Sequence, residues 1–123
     1  MGQSETDGKP LFLYEGKTLY EWLPAIVERV AERFDPLKII IFGSVARGEA
    51  NYDSDIDLLV VFDEIARAEK RNVTVEMRRA LARFPVPKDV IVTDVDEIRR
   101  RGHLVGPMLR PALEEGRVVY ERS

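Results

Sequence analysis

Residues 39–62 read IIIFGSVARGEANYDSDIDLLVVF, and this stretch limits what the chain can fold into more than any other. It holds two apolar runs that read as buried strands, separated by a short polar segment. The second run opens with Asp55-Ile56-Asp57. Strand residues two apart share a face and lie about 6.6 Å from each other, so both carboxylates point the same way. Two carboxylates at that spacing repel unless something lies between them. A divalent cation turns the repulsion into coordination, and paired ions about 3.5–4 Å apart suit such a carboxylate pair. An all-oxygen ligand set favours magnesium or manganese over zinc.

The rest of the chain supplies a frame of alternating helices and strands. Thr18-Leu19-Tyr20-Glu21 has the form of a capping box, and apolar residues at helical spacing run on to Phe34. Pro24 lies inside that pattern, so the helix either kinks there or begins there. Asp35-Pro36 ends it. Residues 37–42 form the first buried strand, and a helical turn is placed at 45–48. Residues 55–62 form the second strand. A helix is expected over 64–84, with a break near Asn72-Val73-Thr74, closed by Pro85 and Pro87. Residues 89–93 make a third strand, and Asp94-Val95-Asp96-Glu97 begins another helix. A helix over 108–115 and a strand over 117–120 complete the chain. This alternation predicts an α+β, or α/β-like, domain: one mixed sheet flanked by helices. Residues 1–15 are expected to be a loose end or an edge segment, and residues 16–123 the domain itself.

Composition excludes several classes. The chain has 123 residues, 45% of them hydrophobic, which suits a single domain with its own core. The formal net charge of −3 argues against a general basic-patch binder of nucleic acid. The sequence contains no cysteine, which excludes thiolate metal sites and fits a reducing cytoplasm. No signal peptide and no apolar run of roughly 20 residues is present, so no membrane partner is expected.

Asp89 is the best third carboxylate. It opens a buried strand as Asp57 does, with Val90-Ile91-Val92 behind it. If the two strands are neighbours, the three carboxylates meet at one end of the sheet. Gly43-Ser44 follows the first strand directly. Glycine lets a phosphate approach the backbone, serine offers a hydroxyl, and a helical turn starting there would favour an anion. Arg47, one turn later, could reach a phosphate. Each feature also has an ordinary reading. A DxD is commonly a solvated turn, Gly-Ser after a strand is commonly just a turn, and Asp89 could pair with Lys88. Three polar features, each at the end of a separate buried strand, make the functional reading the better one. His103, Tyr52 and the run Arg99-Arg100-Arg101 are weaker candidates for contact with a nucleotide or an acidic partner.

Gly43-Ser44, ten intervening residues and Asp55-Ile56-Asp57-Leu58 resemble the signature of the DNA polymerase β-like nucleotidyltransferases. The longer string resembles the minimal nucleotidyltransferase group of that superfamily. The resemblance implies transfer of a nucleoside monophosphate, AMP from ATP, to an acceptor hydroxyl. It implies two magnesium ions (or manganese) held by Asp55, Asp57 and Asp89, with Gly43 and Ser44 on the β- and γ-phosphates. It further implies a small helical partner of the HEPN type, neutralised as a toxin by AMP attached to a tyrosine. A nucleotide-binding module without turnover, a small-molecule nucleotidyltransferase of the antibiotic-resistance type and a homo-oligomer are the alternatives carried alongside.

Overall fold

The computed structural model describes residues 13–51, 54–101 and 115–122. Tyr14 and Lys17 face each other across the Glu15-Gly16 turn in an isolated bridge. Helix α1 then spans Leu19–Phe34. Its capping box is complete: Thr18 Oγ1 accepts the Glu21 N–H at 3.2 Å, and the Glu21 carboxylate accepts the Thr18 N–H at 2.8 Å. With its first turn fixed this way, the helix begins at Leu19 and passes through Pro24, which is not its start. Asp35, in the left-handed region at φ 49°, closes it.

Strands β1 (Lys38–Phe42), β2 (Ile56–Phe62), β3 (Lys88–Asp94) and β4 (Arg117–Glu121) form one sheet in the order β3-β2-β1-β4. β1 is antiparallel to both β2 and β4, while β2 and β3 are parallel, so the sheet is mixed as expected. The short helix α2 (Gly43–Ala46) follows β1, α3 (Arg67–Leu81) crosses from β2 to β3, and α4 (Val95–Arg101) follows β3.

The sheet carries apolar side chains on both faces, which is why its central strands lack polar alternation. On one face Ile39, Ile41, Ile56, Leu58, Val60, Val90 and Val92 pack with Ile26 and Val30 of α1 and Met77 and Leu81 of α3. On the other, Ile40, Phe42, Leu59 and Val61 pack with Ile91 and with Val95 and Ile98 around α4. Trp22 pins α1 to the neighbouring elements: its indole N–H donates to Tyr14 O at 2.7 Å, and its ring meets Phe84 edge-on at 6.1 Å.

Three expectations need correction. α3 is shorter than 64–84 because residues 63–66 are tied down elsewhere, the Ile65 N–H donating to Asp94 Oδ2 at 3.0 Å. It has no break near Thr74, whose hydroxyl is satisfied by donating back to Lys70 O at 2.8 Å. The turn after β1 starts at Gly43 rather than Val45. The expected helix over 108–115 falls almost wholly outside the described residues, as do His103 and Tyr52. Among the described residues, no helix is long and apolar enough to cross a membrane.

Candidate functional site

The parallel register of β2 and β3 pairs Asp57 with Asp89 directly. Strand alternation then sets their direction. Ile56, Leu58, Val90 and Val92 face α1 and α3, so Asp57 and Asp89 face the other way, onto the side that carries Leu59 and Ile91. Asp55, two residues before Asp57, lies just ahead of β2 and hydrogen-bonds the Asp57 carboxyl. The three aspartates are therefore neighbours at the entry ends of two adjacent strands.

Asp57 feels its burial first and its acidic neighbours second. Partial burial, the Asp55 charge, the hydrogen bond with Asp55 and the Asp89 charge together raise its pKa from 3.8 to about 7. A carboxyl that resists ionisation at neutral pH marks a place where negative charge lacks compensation. Such an all-oxygen group fits a hard divalent cation, which supplies the missing charge. As the side chains stand, no three acidic or imidazole groups among the described residues close on one point. Asp89 is drawn aside: Arg78, on α3, donates to its Oδ1 at 3.2 Å, and the Val90 N–H donates to the same oxygen at 2.9 Å. Lys88 is not its partner; the Lys88 ammonium donates to Phe84 O and Val86 O at 2.9 and 3.0 Å.

β1 delivers the next part of the site. Phe42 is paired with Asp57 across the antiparallel ladder, so Gly43 emerges beside that carboxylate. A Cβ at Gly43 would stand 2.6 Å from Asp57 Oδ2, and Gly43 has φ +78°. The left-handed backbone favours glycine here, and a Cβ would also have to displace the Asp57 carboxylate. α2 is a single four-residue turn, so what it offers a ligand is the bare Gly43 backbone and the Ser44 hydroxyl. The hydroxyl donates to Ser54 Oγ at 2.8 Å. Farther along the loop, the Ala50 N–H donates to Tyr20 Oη at 3.0 Å, anchoring it to α1.

Arg47, the residue expected to reach a phosphate, is exposed and has acidic neighbours. Its guanidinium binds Glu49 Oε1 at 2.9 Å and lies 4.0 Å from Glu115. Arg100 of the basic run pairs with Asp96 at 2.8 Å. Sequence reasoning missed Ser54 and Arg78. Ser54 had a signal, a hydroxyl residue directly before Asp55. Arg78 had none, since nothing in a helical repeat shows which strand end a long side chain will reach.

A separate cleft of about 510 Å3 opens at the far ends of β2 and β3, lined by Asp63, Lys70, Asp94 and Glu97 among others. Two of its carboxylates, Asp94 and Glu97, are committed to structure. Burial pushes Asp94 up, but the N–H groups of Glu97 and Ile65, with the charges of Lys70 and Arg100, together hold the pKa below the usual value. Glu97 accepts from Lys70 at 2.8 Å and is also bonded by Thr93.

A mixed sheet with carboxylates gathered at one end, beside a glycine-serine turn leaving a neighbouring strand, defines a domain of the nucleotidyl-transferring class. The family model described as Nucleotidyltransferase domain matches residues 23–120, and the chain belongs to that family of enzymes. It is 32% identical over 106 residues to MJ0604 of Methanocaldococcus jannaschii, named provisionally as a protein adenylyltransferase; the match covers 86% of this chain and 98% of that protein. It is 51% identical over 43 residues to protein adenylyltransferase MntA of Thermococcus cleftensis, a match spanning 35% of this chain and 43% of that protein's length. Among solved structures, a Sulfolobus solfataricus protein provisionally named as a nucleotidyltransferase superposes with a TM-score of 0.59 at 28% identity, over 85% of this chain and 81% of that one.

Proposed function

We propose that this nucleotidyltransferase moves AMP from ATP to a hydroxyl on another protein, using Asp55, Asp57 and Asp89 to hold two magnesium ions. The observation that carries the reading is the direct pairing of Asp57 with Asp89, with Asp55 bonded to Asp57 and Gly43 packed against it. The names of the two relatives favour AMP as the transferred group and a protein as the acceptor. The resemblance to the minimal nucleotidyltransferase group points further, to a tyrosine on a HEPN-type partner.

In this reading each residue has a task. Asp55, Asp57 and Asp89 would hold the ions, and Asp89 takes the proton of the acceptor hydroxyl. For that, Asp89 must turn from Arg78. Gly43 and Ser44 hold the β- and γ-phosphates, aligning the α-phosphorus for in-line attack. Bound ions would supply a lowered pKa for the attacking hydroxyl and stabilisation of the departing pyrophosphate. Charge is conserved through the step: the acceptor oxygen gains the bond to phosphorus, the bridging oxygen to the β-phosphate leaves with the electron pair, and the proton passes to Asp89.

The test is transfer of label from ATP carrying radioactive α-phosphate to a HEPN-type protein, with magnesium. The wild-type chain labels the acceptor and releases pyrophosphate. Asp55→Asn and Asp57→Asn abolish labelling while remaining folded. Full activity in both variants would end the two-ion account, and pyrophosphate release without a labelled protein would redirect the acceptor to a small molecule.

A further inference from the structure

The hydroxyl of the Gly43-Ser44 turn already has a partner. Ser44 Oγ donates to Ser54 Oγ at 2.8 Å. Ser54 is nearly sealed from solvent, at 8% exposure. It accepts the Asn51 N–H at 2.9 Å, and Asn51 Oδ1 lies 3.5 Å away, at the outer limit of a hydrogen bond. A hydroxyl has one proton to give and two lone pairs to receive others. Phosphate oxygens of a nucleotide are acceptors, so a serine that grips one must donate to it. In the pairing described, Ser44 sends its proton inward and would show an anion only lone pairs.

We infer that Ser54 is the positioning residue that turns Ser44 into a phosphate donor. With a triphosphate bound, Ser54 donates to Ser44 Oγ, and the Ser44 proton points at the phosphate. This rests on the reading of Ser44 as a phosphate ligand. Ser54 can make the reversal because its other strong bond, from the Asn51 N–H, is one it accepts and keeps. Among the described residues, the contact given up is the 3.5 Å approach to Asn51 Oδ1. Every bond then runs in one direction, from the Asn51 amide through Ser54 and Ser44 to the phosphate, and each polarises the next. Because Ser54 immediately precedes Asp55, the same residue joins the phosphate grip to the first carboxylate of the acidic group.

Equilibrium binding of α,β-methylene-ATP with magnesium, by calorimetry, tests this on the wild-type chain, Ser44→Ala, Ser54→Ala and the double variant. Each single variant is expected to weaken binding about tenfold, the size of a lost hydrogen bond to a charged group. The double variant should bind no worse than Ser44→Ala, since Ser54 acts only through Ser44. Ser54→Thr, which keeps the hydroxyl, should recover most of the loss. Effects that multiply to about a hundredfold in the double variant would show two independent roles and overturn the inference. Wild-type binding by Ser54→Ala would overturn it too. Melting curves without ligand report folding, and if Ser54→Ala does not fold, Ser54→Cys takes its place, filling the same space with a weak donor. Failure of the wild-type chain to bind the analogue refutes the phosphate reading and the inference together. Loss of affinity in Ser44→Ala but not in Ser54→Ala refutes the inference alone.

Discussion

The raised pKa of Asp57 means that the acidic group strains the fold whenever no cation is bound. Asp57→Asn should therefore make the metal-free chain more stable at pH 8 while destroying its activity. The sign follows from linkage. The folded-state pKa, about 7, lies above the ordinary 3.8, so the folded chain holds a proton there that the unfolded chain has released. That contribution is full below pH 3.8 and is lost as pH rises through about 7. At roughly 1.36 kcal/mol for each tenfold change in proton affinity, the full displacement amounts to about 4 kcal/mol. Asp57 is only partly buried, and screening by solvent cuts this to about 1–2 kcal/mol. The asparagine amide removes the charge and can still donate to Asp55. For a domain of this size the gain is about 3–8 °C in Tm. Thermal melts in EDTA from pH 4.5 to 8.5 provide the assay. The variant's lead should be smallest at the acid end, grow steadily as pH rises towards about 7, and level off above it. With magnesium and ATP the order should reverse, because only the wild type gains by binding, about 2.7 kcal/mol at a hundredfold excess over Kd. A variant no more stable than the wild type at pH 8 in EDTA would refute the reasoning.

Three further outcomes are expected. Gly43→Ala sets a methyl group against the Asp57 carboxylate and forces alanine into a left-handed conformation, so it should lower stability by about 1–3 kcal/mol in chemical denaturation and remove activity; normal labelling by this variant would count against the tight packing described. Arg78→Ala removes the cation that competes for Asp89, and electron paramagnetic resonance should show Mn2+ binding tightened several-fold, whereas weakened binding would mean that Arg78 aligns Asp89 for the ion. Thr18→Ala breaks the capping box and should cost about 0.5–2 kcal/mol in urea unfolding, without changing nucleotide affinity.

Local signals in the sequence carried a good part of this structure. The capping box, the apolar runs and the acidic strand entrance each depend on residues within a few positions of one another, and each is present. The pairing of Asp57 with Asp89 was inferred from two strands with like patterns, conditional on their being neighbours, and the register supplies that condition. What stayed hidden was set by partners distant in sequence. The start of α3 depends on Asp94, 29 residues from the amide that it accepts. Arg78, on α3, reaches Asp89 only once β3 is in place beside β2.

The order of the strands also bears on how the chain is made. Lys38–Phe42 is flanked on one side by β2 and on the other by β4, which is synthesised some 75 residues later. Until β4 leaves the ribosome, three isoleucines and a phenylalanine present an open backbone rim, the kind of surface on which nascent chains stick to one another. β4 covers that rim, and Arg122 fastens it by donating to Asp35 O and pairing with Asp63. Damage to this last ribbon should thus be felt first as lost solubility during expression, before any loss of chemistry.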